Sequence, residues 1–159
     1  MDFQWATRPE ERSRLWEARH HAYFACLQLK PGSRALSTDV CVPISRLSEC
    51  VTETAKDLEK SSLPVPLFGH VGDGNFHCVI LVDPNNKAEI EEAKSINMRV
   101  VRRALAMEGT CTGEHGVGIG KQVYLAEELG EDVIAVMRDL KRTMDPDNLM
   151  NPGKVVPLQ

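Results

Sequence analysis

Two histidines flank a glycine-rich turn in GHVGDGNFH, residues 69–77. Asp73-Gly74 is the dipeptide that favours a two-residue type I′ hairpin. A turn centred there pairs Gly72 with Asn75, Val71 with Phe76 and His70 with His77. Directly opposed residues of an antiparallel pair hold their Cβ atoms roughly 4.5–5.5 Å apart on one face. Two imidazoles at that spacing can share one divalent ion, each nitrogen about 2.1 Å from it. The alternative is one hydrogen-bonded core histidine and one surface histidine. The other dense polar motif is TGEHGVG, with Glu114 and His115. Glu114 added to His70 and His77 makes a His₂Glu set with open positions for a substrate. Gly113, Gly116, Gly118 and Gly120 let backbone approach a ligand closely, or else mark a flexible surface loop. A phosphate loop fails on spacing: His115 stands where its first glycine belongs, and Gln122 replaces Ser/Thr. Cys111 is a possible fourth ligand, although a small buried thiol suits it better.

The elements that must position these groups follow from periodicity. TRPEERSRLWEARHHAYFACLQLKPG predicts a helix from about residue 8 to 29, with Thr7 and Glu10 as a capping box and Pro9 in the first turn. Leu15, Arg19, Tyr23 and Cys26 share one stripe of it, so Arg19 is a charge on an otherwise apolar face. RALSTDVCVP predicts a strand. A helix begins at Pro43, with Ile44, Leu47, Val51, Ala55 and Leu58 as its apolar stripe. Two strands surround the histidine turn. A long helix follows, N-capped by asparagine and closed by Gly109 at C′. Two more helices fall at about 121–129 and 131–143, then a tail, NPGKVVPLQ. The fold class is α+β. Three strands are few for a self-contained sheet, so the chain is expected to be part of a larger domain.

Composition excludes several functions. The chain has 159 residues and a formal charge of −4, so no basic surface recruits nucleic acid. No apolar run reaches the roughly 20 residues of a membrane span. The N-terminus lacks the apolar stretch of a signal peptide and is acidic too early for a transit peptide. Five cysteines without a CxxC pair argue for free thiols in a reducing compartment.

Taken in order, RLWEARHHAY, STDVCVPISRL, GHVGDGNFH, TGEHGVG and DPDNLMNPGK resemble the FAD-linked D-2-hydroxyacid dehydrogenases of the vanillyl-alcohol oxidase type. The likeness covers roughly residues 8–155 and is nearest to the D-lactate-oxidising, mitochondrial branch. It implies an antiparallel sheet with helices on it, the C-terminal part of the substrate-binding cap domain over residues 1–159, truncated at its N-terminus. The FAD-binding domain that precedes this region in the family is expected to be missing here. The resemblance implies a divalent metal, zinc or manganese, on His70, His77 and Glu114. It gives His115 the role of base and Arg19 the grip on the substrate carboxylate. It places Asn151 and Lys154 of the tail near the cofactor. The implied reaction oxidises D-lactate to pyruvate with hydride transfer to FAD, and cytochrome c is the implied electron acceptor. Relatives that act on D-2-hydroxyglutarate carry Thr, Lys and Asn where this chain has Tyr23, Ser37 and Val79. Loss of those polar groups points to a small 2-hydroxy monocarboxylate. The isolated chain is expected to be inactive. The alternative is a stand-alone His₂Glu metal-binding module or hydrolase without flavin.

Overall fold

The computed structural model describes residues 5–156 and 158; positions 157 and 159 of the expected tail lie outside the described residues. In chain order the elements are α1 (Pro9–His20), α2 (Ala22–Leu27), β1 (Arg34–Ser37), β2 (Val40–Cys41) and α3 (Ile44–Leu58). Then come β3 (Leu67–His70), β4 (Asn75–Val82), α4 (Lys87–Ala106), α5 (Gln122–Leu129) and α6 (Glu131–Met144). Helices and an antiparallel sheet confirm the α+β expectation.

β4 organises the sheet. All its residues are buried, and it pairs antiparallel with β1, β2 and β3. Strand alternation therefore splits it into two sets of side chains. Phe76, Cys78, Ile80 and Val82 enter the main core with Leu47 and Cys50 of α3 and Ala93, Ile96, Val100, Val101 and Ala104 of α4. Val79 and Leu81 pack instead with Cys26 and Phe68. Asn75 and His77 share the parity of this second set, so the long buried strand delivers a histidine to the side away from α3 and α4.

The strand expected over RALSTDVCVP is two strands, β1 and β2, in one continuous register against β4: Ser37 opposes Val79 and Val40 opposes Phe76. The break falls at Thr38 and Asp39, both about 1% exposed. Thr38 N donates to Cys78 O at 3.0 Å, but Cys78 N donates to Thr38 Oγ1 at 2.8 Å. A side-chain hydroxyl thus takes the ladder bond that a carbonyl would accept.

Several local expectations change. The helix over 8–29 is divided at His21, because α1 buries none of its residues and no packed face holds the two segments in line. The capping box does not form: Arg8 is the N-cap and makes no side-chain cap bond, with Pro9 as the first helical residue. The buried stripe of α3 is Leu47, Cys50 and Thr54, and Ile44 is exposed. The stripe rotates because a thiol and a hydroxyl, polar in a simple pattern, face the core; Thr54 accepts from Arg103 Nη1 at 3.0 Å. Asn86 does cap α4, accepting from Ala88 N and Glu89 N at 3.1 and 3.4 Å. At its other end Glu108, not Gly109, takes the left-handed conformation. Gly109 is needed for contact: a Cβ there would lie 2.3 Å from Cys41 O.

Ion pairs tie α3 to α4. Asp57 Oδ2 accepts from Arg99 Nε at 2.8 Å and Arg103 Nη2 at 3.2 Å. Burial raises the Asp57 carboxyl, but the two guanidiniums outweigh it and leave it below its usual 3.8. A depressed folded-state pKa contributes stability above about pH 4 and loses it as pH falls. Asp57→Asn should therefore cost about 1–3 kcal/mol at pH 7 and progressively less as pH falls below about 4, measured by urea unfolding across that range.

Candidate functional site

β3 and β4 carry the two histidines, but in a different register from the one the Asp-Gly dipeptide suggests. His70 opposes Asn75 and Phe68 opposes His77. The turn spans four residues, Val71–Gly74, because Gly74 serves as its exit. Its φ is +76°, its O accepts from Val42 N at 3.0 Å, and a Cβ there would lie 2.1 Å from Val42 O. The register moves by two, and an even shift keeps both histidines on the same face. They become diagonal neighbours, still within imidazole reach. Their ring centroids are 5.6 Å apart, edge to face.

The ladder exchange at Thr38 orients one of these rings. With its hydroxyl bonded to Cys78 N, the Thr38 carbonyl is left to accept from His77 Nδ1 at 3.0 Å. A proton fixed on Nδ1 makes Nε2 the lone-pair nitrogen. His77 Nε2 points to Glu114 Oε1 at 3.0 Å, and His70 Nε2 reaches the same oxygen at 3.1 Å. The ligand-capable atoms of His70, His77 and Glu114 all lie within 4.8 Å of one another. His115 stacks on His77, with centroids 5.1 Å apart and planes 9° from parallel. Its Nε2 is 3.7 Å from Glu114 Oε1.

Asp39 anchors the loop that brings Glu114 and His115 here. Its carboxylate accepts from the backbone N–H of Gly113, Glu114 and His115, from Thr112 Oγ1, from Asn75 Nδ2 and from Lys121 Nζ. Burial alone would raise its pKa. The bonds from Lys121, His115 N–H, Asn75 and Glu114 N–H outweigh burial and hold the carboxyl well below the usual range. Asp39, His77 and His115 also form a group with ligand-capable atoms within 4.8 Å. Asp39 has no lone pair left for an ion, however, and the His77 nitrogen on its side, Nδ1, is bonded to Thr38. Of the two groups, His70, His77 and Glu114 are the one that could hold an ion. Two imidazole nitrogens and one carboxylate, with the cleft side open, suit zinc or manganese.

Arg19 reaches this group from α1, with Nη2 2.5 Å from His70 Nδ1 and 3.0 Å from His70 Nε2. Together with Tyr23, Ser37, Phe68, His70, His77, Glu114 and His115 it lines a cleft of about 510 Å³. Tyr23 and Ser37 thus face the cleft, whereas Val79 is fully buried beneath it. Asn151 and Lys154 are exposed, bond to each other at 3.3 Å and do not line it. Cys111 is fully buried, and its thiol is pushed up to about 12 by burial with Glu128 beside it. It stays a packed thiol. Thr38, Asp39, Asn75 and Lys121 carry the geometry without standing out as site residues in the sequence. The one signal was their place next to quoted motifs, in STDV and in the lysine that follows Gly120.

This fold and cleft belong to a flavoenzyme domain: the chain is a member of the FAD linked oxidases, C-terminal domain, whose sequence profile matches residues 1–155. It is 57% identical over 157 residues to the probable mitochondrial D-lactate dehydrogenase of Danio rerio, covering 99% of this chain and 32% of that protein. It is 47% identical over 156 residues to the mitochondrial D-lactate dehydrogenase [cytochrome] of Arabidopsis thaliana, covering 98% of this chain and 28% of that protein. The chain thus spans about a third of the length of these relatives. Among solved structures, 4-ethylphenol oxidase from Gulosibacter chungangensis, in its isoeugenol complex, superposes with a TM-score of 0.58. Its identity is 15%, over 96% of this chain and 32% of that one, so the likeness is one of fold.

The Thr38 exchange makes a specific expectation. Thr38→Val keeps the shape but leaves Cys78 N–H without its acceptor, and should cost about 1–3 kcal/mol in thermal or urea unfolding. Thr38→Ser keeps the hydroxyl and should cost less than about 1 kcal/mol. A larger loss for Thr38→Ser than for Thr38→Val would mean that the methyl, not the hydroxyl, matters.

Proposed function

We propose that this chain is the metal- and substrate-binding part of an FAD-dependent D-2-hydroxyacid dehydrogenase that oxidises D-lactate to pyruvate. The observation that carries the reading is the convergence of two histidines, a glutamate, a further histidine and an arginine on one cleft. Their types match the demands of the reaction, which removes a hydroxyl proton and a C2 hydride. A divalent metal, zinc or manganese, supplies Lewis acidity at the substrate hydroxyl when bound, and FAD, held mainly outside this chain, is the hydride acceptor.

The chain's own residues do the rest. His70, His77 and Glu114 would hold the metal. His115, half exposed and stacked on His77, takes the hydroxyl proton on a ring nitrogen, a task for which imidazole is the commonest side chain. Arg19 grips the carboxylate with two parallel N–H groups. Tyr23 and Ser37 offer no second cation, which fits a monocarboxylate with a small tail. Asn151 and Lys154 are assigned to the cofactor side. The names of the relatives support a mitochondrial location and a cytochrome c-type acceptor.

The test uses a full-length enzyme carrying this domain, D-lactate and an artificial electron acceptor. His115→Ala should lower kcat by about 10²–10⁴. Glu114→Gln should lower metal content and kcat together, and Arg19→Met should act mainly by raising KM. The 159-residue chain by itself should show no turnover, even with added FAD, because unpositioned reactants forgo the effective molarity of a complete site. A His115→Ala enzyme with unchanged kcat would remove the assigned base.

A further inference from the structure

Two oxygens of one buried carboxylate receive most of the donors around the ligand loop. Asp39 Oδ1 accepts from Asn75 Nδ2 at 2.9 Å and from Glu114 N at 3.1 Å. Asp39 Oδ2 accepts from Lys121 Nζ at 2.8 Å, His115 N at 2.9 Å, Gly113 N at 3.0 Å and Thr112 Oγ1 at 3.2 Å. The side chain is fully buried. The loop residues it holds are not: the Glu114 and His115 side chains are about half exposed. An exposed, glycine-rich loop is therefore pinned by its backbone while its side chains face the cleft. These bonds fix the backbone from which Glu114 and His115 reach the cleft.

We infer that Asp39 is a positioning residue, holding the Gly113–His115 backbone so that Glu114 and His115 meet His70 and His77. The function of this hold rests on the reading of His70, His77 and Glu114 as a metal site. Its geometry is that of a three-way joint. Asp39 leaves the β1–β2 edge, Asn75 belongs to β4 with His77, and the loop precedes α5. Asn75 Nδ2 also donates to Val40 O at 2.9 Å, which locks the amide in place. Gly113 permits the approach, because a Cβ there would lie 1.8 Å from Asn75 Nδ2 and 2.7 Å from Asp39 Oδ1. Lys121 closes the joint from beyond the loop, bonding both Asp39 Oδ2 and Asp39 O. Only a carboxylate serves here. It is acceptor-only on both oxygens, whereas an asparagine would turn an NH₂ toward N–H donors that already need an acceptor.

The test is a Co²⁺ titration of this chain and of its Asp39→Asn variant, read by the d–d absorption of bound cobalt, with far-UV circular dichroism as the folding control. Residues that orient metal ligands typically change affinity 10–100-fold. Folded Asp39→Asn should bind Co²⁺ at least 10-fold more weakly and with an altered d–d spectrum, which a general loss of stability would not produce. Folded Asp39→Asn with wild-type affinity and spectrum would overturn the inference while leaving the metal reading intact. A second measurement needs no variant: amide hydrogen exchange of Gly113, Glu114 and His115 in the metal-free wild-type chain. These amides should be protected by about 100-fold or more over unstructured rates, although they lie in an exposed loop. Unprotected amides would overturn the inference even if Asp39→Asn fails to fold. Protected amides in a chain that binds no Co²⁺ would sustain the positioning and sink the metal reading.

Discussion

One hydrogen bond in the middle of the sheet decides how the site can form. β4 is buried throughout, so every polar group on it needs a partner. In a regular ladder Cys78 N–H would bond the Thr38 carbonyl, which here accepts from His77 Nδ1 and Ser37 Oγ. The Thr38 hydroxyl takes that place instead. The carbonyl turns to His77 Nδ1, and the same interruption of the edge strand delivers Asp39 to the ligand loop. A single local departure from strand geometry thus sets the tautomer of one candidate ligand and the anchor of another.

The rest of the fold supports that arrangement. α3 and α4 cover one set of β4 side chains and make the larger core. This leaves the other set free to combine a small apolar patch, Val79 and Leu81, with polar residues, Asn75 and His77. The helices that approach this second face bring few buried residues of their own. α1 buries none, and α2 buries Cys26. What they contribute is Arg19 and Tyr23 at the cleft. The rigid half of the molecule therefore holds the histidines, the loop holds Glu114 and His115, and the lightly packed half presents the cation.

Much of this was legible in the residues. The two histidines are not paired as expected, but they share a face because the register shift is even. An odd shift would have sent one imidazole to the opposite face. The Asp-Gly dipeptide misled because Gly74 answers to Val42, the residue just after β2, more than 30 positions away in sequence. The helices from α3 to α6 were legible in extent; the division of the 8–29 helix was not, nor was the stripe of α3, since Cys50 and Thr54 read as polar. The anchoring role of Asp39 had no sequence signal of its own. Its donors come from residues 75, 112–115 and 121, and such convergence exists only in three dimensions. The family motifs included Asp39 without saying what it does.

The claim on which the account stands is that His70, His77 and Glu114 bind one divalent ion. Anomalous diffraction at the zinc edge, from crystals of this chain grown with zinc, tests it most directly. The account predicts one strong peak about 2.0–2.2 Å from His70 Nε2, His77 Nε2 and a Glu114 carboxylate oxygen, with Asp39 still bound to the loop amides. A peak on Asp39 or on His77 Nδ1, or no peak at the three residues, would contradict it.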